Sequence, residues 1–287
     1  MKLVVRVKLL PTPEQAAALE ATLRAVNDAA TWVSTLAHDQ RVFRDYDLRK
    51  HAYGQIKDRY GLAAQAAQHV IKKVTDAYAT LHANLRNGNV GKPGSARRER
   101  VQAKPIVFRP SAAQPFDDRC LSWQMDARTV SIWTTWGRMK SVAFTASADQ
   151  LKTLAAYRKG ESDLVYRDGM WFLIATCDLP DVPVTDPDGF LGVDLGIADI
   201  ATTDDGTHHS GKGLNAVRHR DRELRRRLQR KNTKSAKRLL KKRRRKEARF
   251  AADTNHTIAK RIVTEATRTG QGIALEVHVQ GDGVRVI

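Results

Sequence analysis

The stretch whose reading decides the fold is GFLGVDLGIADIATTDDG, Gly189 to Gly206. Apolar residues run from Phe190 to Ile200, and two carboxylates, Asp194 and Asp199, interrupt them. Carboxylates are rarely buried without a partner, so an acid in such a run calls for an explanation. The run reads as a strand with Asp194 in its middle, then a turn at Asp204-Asp205-Gly206 and a second strand. Asp199, Asp204 and Asp205 read as strand-edge or turn residues. His208-His209 read as exposed at the hairpin tip.

Upstream of this stretch, LPDVPVTDPDG is a Pro/Asp-rich linker, so a new domain opens near Gly189. Downstream comes a long helical region, about 215–269, and then GIALEVHV, an apolar strand carrying Glu276. If the two acid-bearing strands are neighbours in one sheet, Asp194 and Glu276 can converge. Two converging carboxylates suit a divalent ion such as Mg²⁺, and such ions clamp a phosphodiester during cleavage.

The helical region strengthens that reading. Between Arg218 and Arg249 the polar positions are dominated by Lys and Arg, and Asp221, Glu223 and Glu247 are the only acids. A thin apolar stripe through Leu224, Leu228, Leu239 and Leu240 predicts one or two helices with a cationic shell. Solvated helices usually mix charge signs to gain i,i+4 pairs, whereas this one repels itself unless phosphates neutralise it. The nucleic-acid-binding residues predicted on it are Arg225, Arg226, Arg230, Lys234, Lys237, Lys241, Lys242, Arg243, Arg244 and Arg245.

The whole chain agrees. Its 287 residues carry net charge +19, which points to a polyanionic partner and to about two domains. No apolar stretch approaches the ~18 residues that span a bilayer. Cys120 and Cys177 form no CxxC pair, so free thiols in a reducing cytosol are expected and a zinc site is not. Alternation over residues 2–10 predicts a strand. Thr12, Pro13 and Gln15 then form a helix start, with a helix to about Asp39. Further helices are expected over 47–60 and along Val70, Val74, Tyr78, Leu81 and Leu85, followed by a basic, Gly-rich loop from Arg86 to Arg100. Residues 105–178 hold short β-branched and aromatic runs, with a hairpin turn at Asp168-Gly169 and a helix near 147–157. They read as an antiparallel sheet or small barrel in which Trp123, Trp133, Trp136 and Trp171 mostly fill the core.

GVDLGIADIATTDDG resembles the first RuvC motif of the TnpB family, transposon-encoded RNA-guided nucleases related to the type V CRISPR effectors. MKLVVRVKLLPTPEQAAALEATL resembles that family's first strand and helix, the β-rich runs its wedge strands, and HTIAKRIVTEA with GIALE the approach to its second RuvC motif. The resemblance implies an α+β, multidomain fold. A wedge-type β-barrel would comprise residues 1–10 and 101–180, with a helical recognition insert over 11–100. An RNase H-like (RuvC) α/β domain would follow over 189–287, lacking its C-terminal part. It implies Asp194 and Glu276 as catalytic, Mg²⁺-binding residues, a guide RNA and double-stranded target DNA as partners, and a prokaryotic cytosolic setting. The family's third catalytic aspartate and its four-cysteine zinc module have no counterpart in these 287 residues, and Asp282, in a GDG turn, is a poor substitute. Cleavage is therefore expected to be impaired, and a nuclease-inactive RNA- or DNA-binding protein is the alternative.

Overall fold

The computed structural model describes residues 1–181 and 186–275. The chain divides into two compact units, Met1–Asp181 and Val182–Ile287.

The first unit opens with β1 (Lys2–Leu10), whose alternate residues Val5, Val7 and Leu9 are buried. Thr12 and Gln15 exchange the two hydrogen bonds of a capping box and start α1 (Pro13–Gln40). Then come α2 (Asp45–Tyr60), α3 (Ala64–Arg86) and α4 (Ala96–Gln102). The helices pack through Leu19, Leu23, Val26, Ala30 and Val33 of α1 and Val70, Val74 and Tyr78 of α3, all buried. The basic loop is shorter than its composition predicts, because Ser95 caps α4 by accepting from the Arg98 N–H.

Seven strands complete the unit. They are β1, β2 (Gln114–Phe116), β3 (Leu121–Gln124), β4 (Thr129–Thr134), β5 (Gly137–Thr145), β6 (Arg158–Arg167) and β7 (Met170–Asp178). The order β2-β6-β7-β1-β5-β4-β3 is antiparallel throughout. The two outer strands, β2 and β3, are consecutive in the chain and joined by a four-residue turn at Asp117–Cys120, where the Cys120 and Leu121 N–H groups donate to the Asp117 carbonyl. That turn draws the sheet's edges together, which makes it a nearly closed barrel and leaves little free edge for pairing with another chain. Helix α5 (Ala148–Tyr157) lies between β5 and β6. KPIVFR (104–109), at the start of the β-branched runs, joins no ladder. Its Phe108 N–H donates to Thr31 of α1, and Asn27 Nδ2 donates to the Pro110 and Ala112 carbonyls, so side chains replace the ladder.

In the second unit β8 (Phe190–Asp194), β9 (Asp199–Thr203) and β10 (His208–Ser210) are antiparallel neighbours. Helices α6 (Lys212–Lys231) and α7 (Lys234–Thr269) follow, separated at Asn232, whose φ of 46° ends α6, and at Thr233, whose hydroxyl caps α7. The chain then returns as β11 (Gly272–Leu275), parallel to β8. Sheet order is β10-β9-β8-β11. Leu191, Val193 and Ala201 are buried against Ile258, Ile262 and Ala266 of α7. The apolar run is not one strand: β8 stops at Asp194, and Leu195 (59% exposed) and Ile197 (86%) lie in the turn before β9.

Candidate functional site

Strand alternation places Asp194. Leu191 and Val193 face α7, so Asp194 belongs to the opposite register and ends β8 as an exposed side chain. It has no ion pair or side-chain hydrogen bond among the described residues. On one side its ladder partner is Thr202 of β9. On the other side lies β11, parallel to β8, with Leu275 opposite Val193 as the last pair among the described residues. Parallel strands end at the same edge of a sheet, where open α/β sheets bind ligands. Glu276 and Asp282 lie outside the described residues.

The end of β8 is braced by Asp204, an acid expected only at a turn or strand edge. The Gly192 N–H donates to Asp204 Oδ2 at 2.9 Å, and the Asp204 N–H donates to the Gly192 carbonyl at 3.0 Å. A Cβ on Gly192 would come within 3.1 Å of that carboxylate oxygen. The signal for this clamp is a glycine two residues before Asp194 and an acid just after the next strand. Asp194, Asp204, Thr202 and Ala274 line an open cleft of about 440 Å³ at this edge. Asp205 is held below the usual carboxylate range, chiefly by the Thr203 hydroxyl and then by the Thr207 N–H.

The turn after β8 is also fixed. Asn215 of α6 donates to the Ile197 carbonyl at 2.7 Å, and the Gly211 N–H donates to the Ala198 carbonyl at 2.8 Å. The histidines part company. His208 is exposed, with Nδ1 3.3 Å from Asp199 Oδ2, whereas His209 points to the other face and is buried, so the expectation of two exposed histidines holds for one only.

Electrostatically the unit is split. No Lys or Arg occurs between Arg167 and Lys212, a span that holds Asp186, Asp188, Asp194, Asp199, Asp204 and Asp205. The cations lie on the helices. Arg225, Arg226 and Arg230 are on α6; Lys234, Lys237, Lys241, Lys242, Arg243, Arg244 and Arg245 are on α7. Arg225, Lys241 and Arg244 meet with Arg218 around a groove of about 660 Å³ between the helices. Some of the helix cations, including one in the groove, are engaged in structure. Arg225 pairs with Glu247 at 2.7 Å, Arg226 with Glu223 at 2.9 Å, and Arg243 with the buried Asp221 at 3.6 Å. Among the described residues no group of three His, Cys, Asp or Glu side chains is placed to hold a metal ion, and no helix is long and apolar enough to cross a membrane.

An acid ends one strand of a parallel pair, and a Lys/Arg-rich helical hairpin forms the crossover between the two strands. Residues 175–273 match the OrfB_IS605 family, described as "Probable transposase". A solved structure of a Cas12f1–sgRNA–target DNA complex shares the fold, with TM-score 0.50 and 11% identity, covering 97% of this chain and 81% of that one. No curated protein matches the sequence. The chain is a TnpB-like protein.

Proposed function

We propose that this chain is a transposon-associated, RNA-guided DNA endonuclease of TnpB type, with its cleavage site at the shared edge of β8 and β11 in an RNase H-like (RuvC) domain. One observation carries the reading. Val193 pairs with Leu275 on a parallel strand, and these are the residues immediately before Asp194 and Glu276. On this reading Asp194 and Glu276 act together at the edge where β8 and β11 meet, as a shared divalent site requires.

The residues fit a divalent ion in part. Mg²⁺ is commonly held by one or two carboxylates, with water and substrate phosphate completing its shell, and Asp194 offers an exposed carboxylate with no ion pair among the described residues. When bound, Mg²⁺ would offset the charge of a phosphodiester and polarise it toward attack. Asp194 and Glu276 would supply fixed oxygens, and the Asp204 clamp on Gly192 would hold Asp194's strand end in place. The cations of α6 and α7 would grip phosphates irrespective of sequence, leaving selection of the target to base pairing with a guide RNA. Such a protein works in the prokaryotic cytosol.

Two carboxylates are fewer than the three the TnpB resemblance implies. A polypeptide of these 287 residues is therefore proposed to bind nucleic acid and to cut it weakly or not at all. The test is to sequence the RNA that copurifies with the chain, then to present DNA matching that RNA beside Asp194→Ala. Retention of one defined RNA by both proteins, with little cutting by either, is expected. An absence of any enriched RNA contradicts the guided reading. Robust cutting that disappears in Asp194→Ala contradicts the impairment alone.

A further inference from the structure

Trp136 is the exception among the tryptophans placed in the barrel. Trp171 is 6% exposed and stacks on Tyr166 with ring centroids 4.6 Å apart, and Trp123 packs edge-on against Phe144. Trp136, in the β4–β5 turn, is 64% exposed. Leaving so large an apolar group in water forfeits the stabilisation available from burial, and a turn needs no indole.

The mount is rigid although the side chain is open. The Trp136 N–H donates to Thr134 Oγ1 at 3.2 Å, and that hydroxyl donates to the Gly137 carbonyl at 2.7 Å. The next residue back is tied to α1, where the Thr135 N–H donates to Thr22 Oγ1 at 3.0 Å. Gly137 takes φ +104°, a conformation other residues rarely adopt. The turn therefore presents Trp136 at low conformational cost on binding.

Its neighbours are cationic. Arg138 and Lys140 follow at strand period on β5, and both are exposed. The Arg138 guanidinium is fixed by Ser131 Oγ (2.9 Å), the Arg119 carbonyl (2.8 Å) and Ser122 Oγ (3.2 Å). Three hydrogen bonds to neutral oxygens hold it in place, and among the described residues no carboxylate pairs with it. An aromatic ring followed by two cations on one strand is complementary to an unpaired base and its flanking phosphates.

We propose that the β4–β5 hairpin is a docking site for single-stranded nucleic acid, in which Trp136 stacks on an unpaired base while Arg138 and Lys140 face the backbone. It draws on the nucleic-acid reading for its ligand but not on the Asp194 site. The probe is a fluorescein-labelled homothymidine strand, with a blunt duplex of equal length beside it. Trp136→Ala should weaken single-strand binding about 5- to 150-fold, from the ~1–3 kcal/mol typical of base–aromatic stacking. Its dependence on salt should not change, because no charge is lost. Trp136→Tyr should restore most of the affinity, and the thermal midpoint should stay at the wild-type value. A strand carrying 5-iodouracil should crosslink at Trp136. Equal affinity of Trp136→Ala and wild type together with no crosslink at Trp136 overturns the proposal and leaves the nuclease reading standing. Failure of the wild-type chain to bind either probe overturns both.

Discussion

Asp194 is exposed because β8 ends there, and the chain turns away through residues held by Asn215 and Gly211. Its identity was legible in the sequence as an acid within an apolar run, but its setting was not. Strand ends depend on which neighbour supplies the next ladder bond, and the clamp at Gly192 comes from Asp204, twelve residues on. Lys73 has no signature in the sequence for the same reason: its partners lie far along the chain. Its ammonium donates at 2.6 Å both to Asn27 Oδ1 and to the Ala113 carbonyl, tying the segment before β2 to α1 and α3. Burial pushes it down to about 8, against the opposing charge of Asp163. An amine whose folded value lies below its unfolded one leaves the unfolded chain with more bound protons between about pH 8 and pH 10.4, so stability from this group rises with pH across that window. The urea-unfolding free energy of wild type, less that of Lys73→Met, should therefore increase by ~1–3 kcal/mol from pH 8 to 10.4. A flat difference would show that Lys73 keeps an ordinary affinity for its proton.

At the scale of elements, the α6–α7 hairpin combines a packing seam with a binding surface. Its helical nature and charge were legible from the Leu stripe and the Lys/Arg run. The division of labour among its cations was not, because it depends on which side chains cross between helices. Arg243 reaches Asp221, which is buried, so removing Arg243 deprives a buried acid of its ion pair at a cost of ~1–3 kcal/mol. Loss of binding in Arg243→Ala would thus mix folding with recognition. Lys241, Lys242 and Arg244 are exposed and make no ion pair among the described residues. Changing these three to Ala should lower affinity for duplex DNA regardless of sequence and reduce the slope of log affinity against log salt by about three, roughly one per phosphate contact. The thermal midpoint should not fall. An unchanged slope would place the binding surface elsewhere on the chain.

For the molecule as a whole, order along the chain was more legible than pairing. The change from helices to short strands, the Asp168-Gly169 hairpin and the Pro/Asp linker are local signals, and elements follow them closely. The pairing of β1 with β7 and β2 with β6, and the parallel placement of β11 beside β8, are long-range and have no local signature. The last of these carries the functional argument, since it brings the strand after the cationic helices back to Asp194. A manganese titration followed by electron paramagnetic resonance tests it most directly, with Mn²⁺ standing in for Mg²⁺ and no nucleic acid present. The account predicts a saturable site in the wild-type chain that weakens roughly tenfold or more in Asp194→Ala and equally in Glu276→Ala, with unfolding temperatures unchanged. Wild-type Mn²⁺ affinity in both variants would contradict it.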